Sequence, residues 1–414
     1  MLIGLIIGVP AALVAAGFLA LVHVMETWFW SDLPDALGVS SPPWYLIVGL
    51  PVVGACFVIV ARRFLPGDGG HAPLLGFAGG PVGLSAAPGV ALAALGTLAF
   101  GVVLGPEGPL IALGAIVGLG VTYLVRRVDE THPSIPLAGS FAAIAALFGG
   151  PVVAGVMMVE AGLAAGTAII PALVPGFVAA AVGYCLFVGF GHWGGLHMQA
   201  IAVPGLPLYK GTDLRDLLLA VVIGVLAAVL IHVVRTGATA VAERGVPRLG
   251  MPVMLLVGGL GVGLVALVAR QLGANSQDVL FSGQQSIPAL VAEQSTKIIV
   301  ILLVAKAIAY AVSLGAGFRG GPVFPSIFLG VAVAMLAVVL FGMSPTAGLA
   351  IGSAAGMAAT TRLLLTSCVF ATLLVGPAGA DAVPAAVLAA CAAWVAMLAL
   401  TRQPSPTQAG EGAA

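Results

Sequence analysis

The chain alternates between long apolar runs and short polar or glycine–proline breaks. Seven runs, about 2–24, 44–61, 168–191, 215–235, 252–269, 295–314 and 382–400, approach the roughly 20 residues that one membrane crossing needs. Seven others are shorter or interrupted by Gly and Pro: 88–104, 109–125, 137–148, 151–164, 323–341, 346–357 and 363–375. The pattern predicts an all-α polytopic membrane protein in which full spans are mixed with broken helices. Interrupted backbone at membrane depth is tolerated only where it is buried in protein or lines a cavity. The breaks are therefore the places to look for function.

Composition supports the membrane reading. Of 414 residues, 61% are hydrophobic and 7% charged, against about 25% charged in soluble domains. Fifteen basic residues balance 15 acidic ones, with no basic stripe for nucleic acid. The N-terminal run lacks a basic leader and exceeds a signal-peptide core, so it reads as the first span. Cys56, Cys185, Cys368 and Cys391 sit in apolar runs without ligand spacing and are expected as small buried hydrophobes, with no metal or disulfide. Among 58 glycines, the Gly114–Gly118 and Gly259–Gly263 spacings fit close helix packing.

The most polar internal stretch, 204–216, divides two membrane halves, 1–203 and 217–401, ahead of a polar tail, 402–414. Paired broken segments in two halves are the pattern of inverted-topology repeats, whose half-helix N-termini meet near the bilayer midplane. Arg62 and Arg63 follow the second span, and an acidic, aromatic stretch precedes it. The positive-inside rule then places the N-terminus in the cytoplasm.

Glu107 stands in "GPEGPLIALG", 105–114. Pro109 suits the first turn of a helix, whose leading N–H groups lack internal partners. Those donors and the helix dipole favour an anion. "GGPVFPSIFLG", 320–330, repeats the design with Pro325 leading, and "GGHAPLLG", 69–76, offers a third such turn. Converging N-termini would form an anion site without a full buried positive charge. Glu107 would be a tethered competitor for that site, released by protonation. A carboxylate at the bilayer centre otherwise costs about 2.5–3.5 kcal/mol.

These residues resemble the CLC family of chloride channels and proton-coupled chloride exchangers, from the second span to about residue 375. The family's GREGP motif is present as "GPEGP", with Glu107 at the gating glutamate and Pro106 replacing the basic residue. GxFxP is present as "GPVFP", with Val323 at the phenylalanine position and Phe324 next. "GGPVVAGVMMVE", 149–160, resembles the family's run of Pro and small residues closing on a glutamate. The resemblance implies a CLC-type fold of two inverted halves with broken helices meeting at a central anion site. It also implies a homodimer with one pore per subunit and an anion site near His71, Gly108, Val323 and Phe324. The serine motif GSGIP is shortened to "GHAP", with His71 at or near the serine. The family's late pore tyrosine has no counterpart, Tyr310 being the last tyrosine. Ala161, not an acid, follows Glu160, a pattern closer to the channels than to the exchangers.

Other polar residues carry paired readings. Glu160 either lines an inner vestibule, caps a helix or pairs with Arg362. Lys306 either tunes the pore potential or is satisfied by snorkelling or internal pairing, and Arg319 is an anion attractor at a mouth or an interfacial anchor. His23 and His232 are expected as packing residues; His132, His192 and His197 lie near loops without ligand spacing. No paired acids or nucleophile elbow suggest an enzyme, and no cofactor is implied. The expectation is a passive or weakly coupled chloride channel gated by Glu107 in a prokaryotic plasma membrane. The alternatives are a proton-coupled chloride or fluoride antiporter and a non-conducting sensor or scaffold.

Overall fold

The computed structural model describes residues 1–76, 83–125, 136–164, 166, 169–189, 192–196 and 202–401. The tail 402–414, His132 and His197 lie outside these residues. Among these residues fourteen helices of more than ten residues follow one another: α1 (Leu2–Thr27), α2 (Trp44–Phe64), α3 (Ala87–Leu98), α4 (Glu107–Val125), α5 (Leu137–Leu147), α6 (Pro151–Ala164), α7 (Ile170–Val188), α8 (Leu214–Leu249), α9 (Met251–Gln271), α10 (Thr296–Gly315), α11 (Val323–Phe341), α12 (Pro345–Thr361), α13 (Leu364–Val375) and α14 (Val383–Thr401). Among the described residues, nine helical stretches are long and apolar enough to cross a membrane.

In lipid, apolar surface gains little by leaving its solvent, so helices associate through close packing and polar contacts. The paired glycines supply that closeness. A Cβ on Gly114 would lie 2.5 Å from the Gly139 carbonyl oxygen of α5, and one on Gly259 2.5 Å from the Pro51 carbonyl oxygen of α2. Neither helix pair can approach as it does with a larger residue there. Helix α11 is the centre of the molecule: 83% of its span is buried, packed against α12, α10 and α8.

Three expectations about element ends are revised. Helices α4 and α11 begin at Glu107 and Val323, each two residues before the proline expected to lead it. Pro109 and Pro325 instead occupy the third position of the first turn, where an N–H has no intrahelical partner either. "GGHAPLLG" starts no helix; Pro73–Leu75 is a single 3₁₀ turn. Helix α8 runs 36 residues to Leu249, past the apolar limit at 235, because Ala238 and Val241 pack on Gly315 of α10 and hold the continuation in place despite its glycines and Pro247.

Residues 203–213 do not merely join two halves. Val203 N–H donates to Leu374 O, Tyr209 N–H to Ala378 O, and Gly211 N–H to the Asp381 carboxylate. The segment is docked on the second half before α8 begins at Leu214, capped by Asp213. Cys56 and Cys185 are exposed on α2 and α7 instead of buried, while Cys368 and Cys391 are half-buried; all four are free thiols.

Candidate functional site: two paired loops around Glu107

The breaks before α4 and α11 meet. Gly105 N–H donates to Gly321 O at 2.7 Å, and Gly321 N–H donates to Gly105 O at 2.6 Å. This two-bond bridge places the first turn of α4 beside the first turn of α11. The Glu107 carboxylate then reaches across: Val323 N–H donates to its Oε1 at 2.5 Å. The Phe324 amide is turned toward the same carboxyl. Glu107 is fully buried, and its Oε2 accepts no hydrogen bond from the described residues. A Cβ on Gly105 or Gly321 would overlap the carboxyl, so both glycines are required by where Glu107 sits.

The energetics balance. A hydrogen bond to a charged group contributes about 1.5–3 kcal/mol, and a partly buried helix terminus adds up to about 2 kcal/mol. Together these offset the roughly 2.5–3.5 kcal/mol insertion cost of the acid.

Aromatic rings wall this place on one side. Phe324 stacks on Phe148, with centroids 5.3 Å apart and planes at 18°, and Phe370 meets Phe148 edge-on at 5.4 Å. Phe148 immediately precedes the "GGP" break before α6, so that third break is joined to the same cluster.

Two sides of Glu107 can be told apart. On one, a cavity of about 590 Å³ is lined by Leu104, Pro106, Glu26, Trp30, Phe281 and Gln285 among others, so its floor is the stretch just before Glu107. His23, expected as a packing residue, is exposed and lines this cavity too. On the other side, Arg62 pairs with Asp68 at 2.9 Å and donates to Gly317 O at 3.0 Å, and Arg319 pairs with the same Asp68. Burial alone would raise the Asp68 carboxyl; the Arg62 hydrogen bond and the charges of Arg319 and Arg62 outweigh it and hold the group below the usual carboxylate range.

The other candidate residues are distributed as follows. His71 shares its hydrogen bond with Gly76 O at 3.2 Å. Burial, reinforced by Arg319, keeps its imidazole below the usual histidine range, so it offers a neutral ring on the Asp68 side. Gly108 packs on the Gly320 backbone. Glu160 accepts from Leu365 N–H (2.9 Å), Thr366 N–H (2.8 Å) and the Thr366 hydroxyl (2.6 Å), capping α13 from outside; Arg362 instead donates to Thr401 Oγ1. Lys306 is fully buried and donates to the carbonyls of Asp278 and Leu280, with its ammonium 4.7 Å from the Phe328 ring centroid. Of the eight site candidates, Glu107, Gly108, Val323 and Phe324 come together at the paired loops.

Four residues were not legible as site residues. The Tyr310 hydroxyl, fully buried on α10, donates to Pro322 O at 2.8 Å and shares a hydrogen bond with Ser326 Oγ at 3.3 Å. Thr360 Oγ1 of α12 donates to Ser326 Oγ at 2.5 Å. Glu107 and Arg235 both lie within electrostatic reach of the Tyr310 phenol. Arg235 donates to Leu74 O at 3.2 Å. Helices α8 and α14 start side by side, where Gly211 and Thr212 bind Asp381, and Gly224 packs on Ala389 further along. The end of α14 is therefore level with the middle of α8. Arg362, bonded to Thr401, is thus on the same side of Glu107 as Arg235, Leu74 and Asp68.

A family model described as "Voltage gated chloride channel" matches residues 71–397. The chain belongs to this family, the CLC proteins, and is a multi-pass membrane protein. It is 30% identical over 349 residues to "Putative ion-transport protein YfeO" of Escherichia fergusonii, covering 80% of this chain and 77% of that one. The protein of the same name from Escherichia coli K12 is 29% identical over 350 residues, with the same coverage. The fold is similar to that of a slow cyanobacterial Cl⁻/H⁺ antiporter, with a TM-score of 0.78 and 19% identity, covering 98% of this chain and 95% of that one. A CLC-type fluoride/proton antiporter superimposes with a TM-score of 0.72 at 21% identity, covering 95% of this chain and 94% of that one.

Proposed function

We propose that the protein is a transmembrane pathway for small monovalent anions, chloride first, in which Glu107 is the gate. One observation carries the reading: the Glu107 carboxylate lies on the Val323 amide where the paired loops bring two helix N-termini together. A seat that holds a tethered carboxylate holds a free anion by the same donors once the side chain leaves. Protonation removes the charge that the amides favour and frees the seat. The cavity above Pro106 is the outer approach, and the Arg235 side is the cytoplasmic one, in keeping with Arg62 and Arg63 there. Two such subunits form the working unit, each with its own pathway, in a prokaryotic plasma membrane.

The transport mode is channel-like. Glu160 has its carboxylate committed to the amides of α13, so it is not free to ferry protons. The test is anion efflux from liposomes holding purified protein. Wild-type flux rises with acidity, and Glu107→Gln raises flux at neutral pH and flattens that response. Anion flux that drives uphill proton movement, lost in Glu107→Gln, replaces the channel with a coupled antiporter. Absence of flux for chloride, nitrate and fluoride alike overturns the transport reading.

A further inference from the structure

We propose that Arg62 and Arg319 form an oxyanion-binding fork at the mouth on the Arg235 side, and that Asp68 keeps this fork filled, so that phosphates and carboxylates are turned away there while small monovalent anions pass. The proposal rests on the transport reading above and adds a selectivity residue to it.

The geometry is that of a bound carboxylate. Arg62 grips Asp68 with two parallel bonds, Nε to Oδ1 at 2.9 Å and Nη2 to Oδ2 at 3.1 Å. Arg319 Nη2 donates to the same Oδ2, and Arg319 Nε donates to the Asp68 carbonyl at 3.0 Å. Paired guanidinium N–H groups match the oxygens of a carboxylate or phosphate; a spherical halide offers no second oxygen to the second donor. The burial is the reverse of an ordinary surface pair. The Arg62 and Arg319 side chains are 15% and 6% exposed, and the Asp68 side chain 55%. Arginine at a surface normally keeps its charged head in water. Here the cations lie inside and the carboxylate lies over them.

The backbone bends to put it there. Gly67, Asp68, Gly69 and Gly70 all have positive φ, at 86°, 49°, 70° and 95°. L-residues visit this region singly, and Asp and Asn are among the few that tolerate it. A Cβ on Gly69 would stand 3.3 Å from the Cγ atoms of both arginines and 2.9 Å from Ala93 Cβ. Such conformations persist where surrounding contacts impose them, and they cluster at functional segments.

The fork stands on the way to Glu107. Arg319 immediately precedes Gly320 and Gly321, the stretch of backbone bonded to Gly105, and Arg62 Nη1 donates to Gly317 O at 3.0 Å. Two cations and one anion leave one net positive charge, which draws a monovalent anion without gripping it. Removing the Asp68 carboxylate would leave two positive charges and an open bidentate seat, in which a phosphate would lodge. Burial acts to raise the Asp68 carboxyl, but the Arg62 hydrogen bond and the two arginine charges hold it below the usual carboxylate range. Asp68 therefore stays ionised at neutral pH and the fork stays filled. A site rejects a competitor as effectively by denying it contacts as by favouring its own ligand.

The experiment uses Asp68→Asn and Asp68→Gly, both compatible with the positive φ. Chloride efflux is measured from proteoliposomes of defined sidedness, with inorganic phosphate added to one face at a time. Wild-type flux is insensitive to phosphate on either face. In both variants phosphate on the Arg235 side lowers flux by about tenfold, phosphate on the cavity side does not, and added chloride relieves the block. Arg319→Gln combined with Asp68→Gly abolishes it. Calorimetry in detergent reads the fork without transport: phosphate binds Asp68→Gly and binds neither the wild type nor the double variant. Phosphate-insensitive flux in both Asp68 variants overturns the fork, as does equal inhibition from both faces or absence of phosphate binding to Asp68→Gly. If the protein moves no chloride, the transport reading fails and the calorimetry alone decides the fork.

Discussion

Gly321 has no side chain because Glu107 occupies the space one would need. A Cβ there would overlap the Glu107 carboxyl, and the backbone at Gly321 is tied to Gly105 on the other side. The carboxyl is the freer partner, so it is the part that yields. Gly321→Ala should therefore push Glu107 off the Val323 amide without changing any charge. Chloride efflux at neutral pH should rise toward that of Glu107→Gln, and efflux at wild-type level would show that the carboxyl does not obstruct. The same site explains what was hard to read in the sequence. Glu107, Val323 and Phe324 were visible because glycine–proline breaks flag them. Tyr310, Ser326 and Thr360 were not, because nothing local marks a hydroxyl that finds its partner on another helix. Lys306 was legible only as a charge in an apolar run; its carbonyl partners lie 26 and 28 residues upstream.

Helix ends follow the same logic. The apolar runs located the fourteen helices well, since backbone buried away from water must satisfy its own hydrogen bonds and so continuous apolar sequence folds as helix. They located ends less well, as α8 shows by continuing through Arg235, Glu243 and Arg244. There it is held by a narrow face of small apolar residues: Ala238 and Val241 pack on Gly315 of α10, and Gly245 on Met254 of α9. The start of α13 is a case in which one side chain sets an end. Glu160 binds the Leu365 and Thr366 amides in place of a local cap. Glu160→Ala should cost about 0.5–2 kcal/mol, the range for loss of a capping group. Purified protein should melt at lower temperature while keeping wild-type anion selectivity. A change of selectivity with unchanged melting would put Glu160 in the pathway instead.

Across the whole molecule, the Arg62–Asp68–Arg319 cluster joins the end of α2 to the loop before α11. The folded-state Asp68 carboxyl titrates below its ordinary 3.8. Its contribution to stability is therefore fully present above that ordinary value and is lost as pH falls through the lower, folded-state one. The Asp68 side chain is 55% exposed, so the effect is small. Asp68→Asn should lower stability at neutral pH and narrow its gap to wild type below about pH 4, measured by melting across pH. A gap that stays constant across that range would remove the carboxylate from the account.

The bond between Glu107 and Val323 joins residues 216 positions apart. During synthesis the acid therefore emerges and enters the bilayer long before the amide that receives it has been made. Until the second loop arrives, the nascent chain carries a carboxylate without the amide that offsets its cost in the bilayer. A chain interrupted before residue 323 would keep that burden permanently.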